Sequence, residues 1–233
     1  MIDVKQIIED SLKAFESSKE RYADLPKVKD YERLHPKPLT PLNVKIDVDA
    51  FKADITRWDA MFEQWGNEHT NLPRYGIPLV NRDGYLLPND PTNGSLMAYS
   101  KQYPDKALLE TDCRTPTAVM LLRSLDPIDI FKGYWCRSNV LKWEQGAKFM
   151  PHIDTVQPSP WIRLWATTDP IELNFYNTDG NKIAIDPIEL GRVYVIDTSL
   201  VHDAENISDN TVYQLFLSVS PDASELVASQ MTK

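Results

Sequence analysis

A histidine and an aspartate stand two residues apart at His152 and Asp154, in the segment MPHIDT. Residues i and i+2 of a strand face the same side, so this imidazole and carboxylate point together, with Ile153 on the other side. The two groups can take adjacent positions around one metal ion. The spacing therefore predicts two ligands of a metal site. A histidine that merely packs in the core or at the surface is the alternative, since a lone HxD is a weak motif.

A third ligand has to come from elsewhere in the chain, which has four histidines. His202 is the best candidate, because it opens a late β-type run about fifty residues after His152. Two histidines and one carboxylate form the ligand set of non-haem Fe(II) oxygenases, which leaves positions open for a co-substrate and dioxygen. We expect His35, in the proline-restricted LHPKP, and His69, in a polar loop, not to be ligands.

Short β-type runs follow one another after about residue 133, and they must position these side chains. Turn-forming sequences such as QG, QPSP, TDGN and SDN separate them. The eight runs are SNVLKWE, MPHIDT, WIRLWATT, IELNFYN, KIAID, RVYVIDT, VHDAEN and VYQLFLSV. Eight short strands at this spacing predict a jelly roll or a barrel.

The first half of the chain has a different texture. Apolar residues at helical spacing predict a helix over 2–20, and a proline-containing stretch over 21–47 predicts an extended arm. Further on we expect a helix capped by Asp47 or Asp49 and ended by Gly66, a hairpin over 74–88 with its turn at 81–84, and a short helix over 115–125. The prediction is one α+β domain, with a supporting region over 1–132, a β core over 133–220 and a tail over 221–233.

Composition narrows the class of protein. The 233 residues carry a net charge of −9, which argues against nucleic acid or an anionic membrane as the main partner. Cys113 and Cys136 are far apart in the chain and lack metal-type spacing, so we expect reduced thiols. The N-terminus is amphipathic and acidic, unlike a signal peptide, and no apolar run could cross a membrane. We therefore expect a cytoplasmic protein.

The C-terminal half, about 133–220, resembles the Fe(II)/2-oxoglutarate-dependent dioxygenases, most closely the branch of aspartyl/asparaginyl β-hydroxylases and bacterial proline hydroxylases. The resemblance lies in PHID (151–154), WIRLW (161–165), ELGRVYVIDTSLVHDAEN (189–206) and VYQLFLSV (212–219). It implies a double-stranded β-helix, a cupin-like jelly roll, with iron held by His152, Asp154 and His202. It also implies 2-oxoglutarate as co-substrate, which occupies two open sites on the iron.

One departure from this pattern concerns the co-substrate. The family has an arginine on the final strand to pair with the far carboxylate of 2-oxoglutarate, and here that region reads TVYQ. Tyr213 is the best match to the position, and a phenol brings a hydrogen bond but no charge. Arg163 shares a face with Trp161 and Trp165, and we predict that it supplies the missing cation. Lys142 is a weaker candidate.

The predicted function is hydroxylation of a small amino acid or a peptidyl side chain by Fe(II), 2-oxoglutarate and dioxygen. Trp165, Trp143 and Arg137 are candidate substrate contacts; core packing is the alternative for the tryptophans and a surface position for Arg137. Two other functions stay open: a non-catalytic double-stranded β-helix that binds a metal or ligand, and a cupin-type metalloenzyme that does not use 2-oxoglutarate. Asn206 is expected to brace the turn after His202.

Overall fold

The computed structural model describes residues 3–16, 23–65, 73–87, 109–155, 157 and 159–232. α-Helices are described at α1 (Val4–Glu16), α2 (Tyr31–Leu34), α3 (Val48–Ile55) and α4 (Ser224–Gln230). 3-10 helices cover Thr56–Met61, Glu110–Asp112, Ala118–Leu121, Arg123–Phe131 and Pro221–Ala223. No helix of these residues is long and apolar enough to cross a membrane.

Strands are described from both halves of the chain. The first half contributes β1 (Leu39–Lys45), β2 (Glu63–Gln64), β3 (Arg74–Asn81) and β4 (Thr115–Pro116). The second half contributes β5 (Ser138–Trp143), β6 (Lys148–His152), β7 (Ile162–Thr167), β8 (Glu172–Tyr176), β9 (Lys182–Ile183), β10 (Arg192–Ile196), β11 (Val201–Glu205) and β12 (Val212–Val219). Each of the eight predicted β-type runs therefore overlaps a strand.

Two antiparallel sheets form the core. The larger sheet has the order β1-β10-β7-β12-β5-β3-β2, with β4 beside β3, and the smaller has the order β6-β11-β8-β9. Consecutive strands from β5 to β8 alternate between the sheets, and so do the strands from β9 to β12. This alternation is the connectivity of a jelly roll, so the predicted fold class, a double-stranded β-helix with added helices, is confirmed.

The larger sheet is covered on both faces. Its outer face packs against the helices in a large apolar cluster that includes Phe51, Ile55, Ile162 and Leu164. Its inner face meets the smaller sheet in a second cluster that includes Trp143, Trp165, Phe175 and Tyr194. We call the space between the sheets the interior. Successive residues of β7 alternate between these two clusters, as the pleat of a strand requires.

The first half adds strands to this sheet as well as helices around it. The stretch predicted as an extended arm contains α2 and β1, and β1 pairs with β10 at the sheet's edge. Asp47 caps α3 as predicted, accepting a hydrogen bond from the Ala50 backbone N–H at 3.0 Å. The end predicted at Gly66 lies outside the described residues. The helix predicted over 115–125 is replaced by a short strand and 3-10 turns.

The prediction of a hairpin over 74–88 is wrong, although the turn that was predicted within it is present. Its turn forms, with the Asn81 side chain accepting from the Gly84 backbone N–H and Gly84 at φ 82. However, β3 pairs with β2, β4 and β5 instead of with a strand directly after the turn. Nearly every residue of β3 is buried, because both of its faces are covered. A strand buried on both faces belongs inside a sheet, where its neighbours come from distant sequence.

Candidate metal centre

The three predicted ligands meet where β6 and β11 pair. His152 ends β6 and lies directly opposite His202 in the register of these antiparallel strands. Asp154 follows in the next turn, where its backbone N–H donates to the Thr198 carbonyl at 2.9 Å. A separation of fifty residues is thus closed by one pair of strands. Nδ or Nε atoms of the histidines and a carboxylate oxygen of Asp154 lie within 4.8 Å of one another.

Backbone carbonyls fix how the two imidazoles present their nitrogens. His152 Nδ1 lies 2.8 Å from the Met150 carbonyl, and His202 Nδ1 lies 2.9 Å from the Leu200 carbonyl. A carbonyl only accepts hydrogen bonds, so each Nδ1 carries the proton and each Nε2 keeps its lone pair. Metal-binding histidines are held in this way. Both Nε2 atoms are therefore available to one cation.

The contact between His152 and Asp154 points to the same cation. His152 Nε2 is buried without a hydrogen-bond partner, although Asp154 Oδ1 lies 3.2 Å away. With the proton on Nδ1, this short distance brings a nitrogen lone pair against a carboxylate oxygen. Two such groups repel each other unless a proton or a metal lies between them. The donor set and its geometry therefore fit a divalent metal.

Protonation also suits metal binding. Burial acts to raise the pKa of Asp154, but His152, His202 and Arg163 together hold it well below its usual range. Burial, together with the charge of His152, lowers the pKa of His202 to about 4. At neutral pH the site therefore holds an ionised carboxylate and a neutral His202, which are the forms that ligate metals. His35 lies elsewhere, stacked on Tyr31, and His69 is outside the described residues.

Arg163 lies on the same face of β7 as Trp165, as the alternation of the strand predicted, and the structure shows that this face is the interior one. It is buried, donates from Nη1 to the Ser218 hydroxyl, and has its Nη2 3.7 Å from Glu110 Oε1. Arg137, which is also buried, lies 3.8 Å from the same Glu110 oxygen. The surface position considered for Arg137 is therefore wrong. Two guanidinium groups therefore lie within ion-pair distance of one carboxylate, that of Glu110.

Tyr213, which was predicted to contact the co-substrate, does not face the interior. It packs in the outer cluster of the larger sheet, edge-on to Phe51 with ring centroids 6.5 Å apart. Its neighbours Val212 and Phe216 pack in the inner cluster instead. The register chosen for the final strand was wrong by one residue, and a one-residue shift moves a side chain to the other face. Lys142 also lies on the outer side, where it donates to Asp59 at 2.6 Å.

The other predicted residues lie where the pleat puts them. Trp143 and Trp165 are buried in the inner cluster, and Trp165 Nε1 donates to Gln214 Oε1 at 3.1 Å. Asn206 braces the turn after β11, since its amide donates to the carbonyls of Trp143, Glu144 and Asn210. That prediction is confirmed.

Two charged residues of the interior escaped sequence reasoning. Glu110, which bridges Arg137 and Arg163, stands in a 3-10 turn between segments without any motif. Arg74 begins β3, and its guanidinium carbon lies 3.9 Å from the Phe149 ring centroid. The run RYGIPLV was recognised as a strand, but its partner strands were not. Nothing in the sequence therefore tied Arg74 to the interior.

Gly76 explains how the chain closes the interior beside β3. A Cβ atom on Gly76 would lie 2.2 Å from Trp65 Cε3, so only glycine lets this indole rest on the strand. Trp65 in turn packs against the inner cluster and lies under Arg137, 5.3 Å from its guanidinium carbon. The accessory strands therefore bring aromatic surface as well as Arg74 to the interior.

Comparison with known proteins gives distant structural likenesses. No family model matches the sequence, and no curated protein matches it significantly. The structure is similar to a prolyl hydroxylase from Trichoplax adhaerens in complex with a hypoxia inducible factor oxygen degradation domain peptide fragment. The identity is 10%, the match covers 94% of this chain and 97% of that chain, and the TM-score is 0.47.

Two further solved structures are similar. A prolyl-4-hydroxylase from Pseudomonas putida has 12% identity, coverage of 88% of this chain and 97% of that chain, and a TM-score of 0.42. An oxalate oxidase in complex with the substrate analogue glycolate has 13% identity, coverage of 68% of this chain and 56% of that chain, and a TM-score of 0.34. The chain thus spans little more than half of the oxalate oxidase. Likenesses this distant assign no activity, which has to be argued from the site.

Proposed function

We propose that this protein is a non-haem Fe(II), 2-oxoglutarate-dependent dioxygenase that hydroxylates a small amino acid or a peptidyl side chain. The observation that carries the proposal is the convergence of two imidazole Nε2 lone pairs and the Asp154 carboxylate, each held in its metal-binding form. Three protein ligands of this kind leave open coordination positions and favour iron among the available metals.

His152, Asp154 and His202 would hold the iron. When bound, iron with 2-oxoglutarate would supply the oxidising chemistry by which substrate, dioxygen and 2-oxoglutarate become hydroxylated substrate, succinate and carbon dioxide. The chain's own groups set the conditions. The carbonyls of Met150 and Leu200 orient the imidazoles, and the rings of Phe149 and Phe175 pack beside them and limit access of water.

Positive charge in the interior supports an anionic co-substrate. Arg163 is buried, and its positive charge helps to lower the pKa of Asp154. Glu110 is its carboxylate neighbour, and Arg137 shares that neighbour. Buried guanidinium groups favour binding of an anion, because a carboxylate forms charge-assisted hydrogen bonds with them. We assign Arg163 to 2-oxoglutarate near the iron.

The substrate contacts are assigned to the same cluster. Arg137 is the candidate partner for a carboxylate of the substrate, because it is buried and lies within ion-pair distance of the same Glu110 oxygen as Arg163. Trp165 and Trp143 line the interior. Trp165 lies on β7, two residues after Arg163, and we assign it to the wall of the substrate pocket.

A metalloenzyme of cupin type that does not use 2-oxoglutarate is the second candidate. The final strand, residues 212–219, carries no lysine or arginine on either face. A non-catalytic binding protein would need no three aligned ligands in metal-binding form. Dependence on 2-oxoglutarate therefore decides between the first two functions.

The deciding experiment is an anaerobic titration of the purified protein with Fe(II) and then with 2-oxoglutarate. Chelation of iron by a 2-oxo acid gives a metal-to-ligand charge-transfer band in the visible spectrum, and we expect that band to saturate. Iron binding without the band would favour the cupin-type enzyme. Absence of iron binding would overturn the metal site itself.

A further inference from the structure

Arg74 is a buried cation on a strand outside the eight strands of the jelly roll. It begins β3, is 1% exposed, and lies opposite Trp143 of β5 in the sheet register. Its guanidinium carbon lies over two rings, 3.9 Å from the centroid of Phe149 and 5.1 Å from that of Trp143. Phe149 in turn stacks on His152, with ring centroids 3.6 Å apart. One aromatic ring thus separates Arg74 from a metal ligand.

The charge of Arg74 is not balanced by the described chain. Its Nε and Nη1 are buried without hydrogen-bond partners, and no carboxylate of the described residues lies within ion-pair distance. Burial lowers its pKa to about 10, and Asp154 opposes this shift. An unpaired guanidinium at this depth costs folding energy, and stacking on aromatic rings offsets only part of the cost. The position is explained if an anion binds there.

Two neutral donors face the same space. Trp143 Nε1 and Gln214 Nε2 are buried without partners. Trp143 pairs with Val212 of β12, and Gln214 is the next residue of that strand on the same face. The Trp165 N–H can only donate, so its bond to Gln214 Oε1 fixes the amide and directs Nε2 elsewhere. Arg74, Trp143 and Gln214 therefore offer N–H donors and a positive charge, as a carboxylate requires.

We propose that Arg74, with Trp143 Nε1 and Gln214 Nε2, binds the carboxylate of 2-oxoglutarate that is remote from the metal. This proposal rests on the proposed function and deepens it. A bound 2-oxo acid turns one end to the metal and projects its second carboxylate into the interior, where an unpaired charge is strongly disfavoured. Arg137 and Arg163 already share Glu110, whereas Arg74 has no ion-pair partner among the residues that the structure describes. The far carboxylate assigned from the sequence to Arg163 is thereby reassigned to Arg74.

The test compares two ligands that differ only at the remote end. 2-Oxovalerate has the five-carbon chain of 2-oxoglutarate with a methyl group in place of the remote carboxylate. Dissociation constants for both are measured anaerobically on the Fe(II)-loaded protein. We expect Arg74→Gln to weaken 2-oxoglutarate by roughly 30-fold or more and to leave 2-oxovalerate nearly unchanged.

The matched control is Lys142→Gln. It removes one positive charge from β5, beside Trp143, but on the outer face of the sheet where Asp59 is its partner. It should change neither dissociation constant. Arg74→Lys keeps the charge and loses the planar fork, so we expect it to weaken 2-oxoglutarate less than Arg74→Gln does.

Three results would overturn the proposal. The first is equal affinity of the parent protein for 2-oxoglutarate and 2-oxovalerate. This measurement does not depend on whether any variant folds. The second is Arg74→Gln that binds 2-oxoglutarate as tightly as the parent. The third is Arg74→Gln that loses both ligands to the same extent, which would make Arg74 a structural residue. Failure of the proposed function is distinguishable, because the parent would then bind no 2-oxo acid at its iron.

Discussion

The outer face of the larger sheet carries Lys142 paired with Asp59 at 2.6 Å, whereas its inner face carries Arg74 with two unpartnered nitrogens. The outer face packs on helices of the same chain, so its partners are built into the fold. On the inner face, Arg74 has no carboxylate of the described residues within ion-pair distance. Paired charge on one face and unpaired charge on the other indicate where a ligand belongs.

The largest effect on binding is expected when a candidate metal ligand in the interior is replaced. Asp154→Ala should weaken Fe(II) binding by more than roughly 100-fold. Replacing a residue that only hydrogen-bonds to a metal ligand already lowers metal affinity by roughly 10- to 100-fold. Asp203→Ala is the matched control, since Asp203 adjoins His202 but faces away and accepts from Asn174 and Tyr176. Equilibrium binding of Fe(II) or Co(II) measures both. Equal loss in the two variants would contradict the assignment of Asp154.

Arg163 tests the same face near the metal. Arg163→Ala should weaken 2-oxoglutarate by roughly 30- to 1000-fold, the cost of losing one partner of a buried charge pair. It should weaken 2-oxovalerate by a similar factor, because Arg163 is assigned to the end of the ligand near the iron. Iron affinity should change little. Selective loss of 2-oxoglutarate alone would return the far carboxylate to Arg163.

A substitution on the outer face should lower the stability of the protein and leave ligand binding unchanged. Leu215 is fully buried in the outer cluster, and Leu215→Ala should lower the free energy of unfolding by about 2–5 kcal/mol through lost contacts and a cavity. Iron affinity of the folded protein should stay the same. Urea denaturation and metal titration on one preparation measure both. A variant with the parent's free energy of unfolding but weaker iron binding would contradict the proposed difference between the two faces.

His35 is a partly buried histidine that lies outside the candidate metal site. Burial lowers its pKa, against the opposing effects of the Tyr31 carbonyl and Asp197. Below about pH 6.5, the ordinary value, the unfolded chain takes up this proton before the folded protein does. Stability is therefore lost as the pH falls, by at most about 1.4 kcal/mol per pH unit from this residue. His35→Gln should flatten the profile measured by urea denaturation between pH 7.5 and 5.5. An unchanged profile would contradict the role of His35.

The smallest effect is expected at Tyr213, which the sequence assigned to the co-substrate. Tyr213→Phe should leave 2-oxoglutarate affinity unchanged, because the phenol lies among Phe51 and Phe62 on the outer face. Calorimetric titration of the iron-loaded protein measures this. A clear loss of affinity would mean that the final strand faces the other way when the ligand binds.

The sequence by itself determined the eight strands and the candidate ligand set. The turn-forming residues between the β-type runs mark where each strand stops, and the HxD spacing makes His152 and Asp154 neighbours in any extended chain. His202 could be chosen because the chain has only four histidines. These inferences need local geometry alone.

Only the tertiary structure decided which face of each strand meets the interior. Where one face is exposed, alternation of apolar and polar residues reveals the buried side. Here β7 is buried along its whole length, and so is most of β3 and β12. Their sequences give the relative direction of neighbouring side chains but not the absolute side. Tyr213 was therefore assigned to the wrong face, and Arg74 stayed unnoticed until distant strands paired around it.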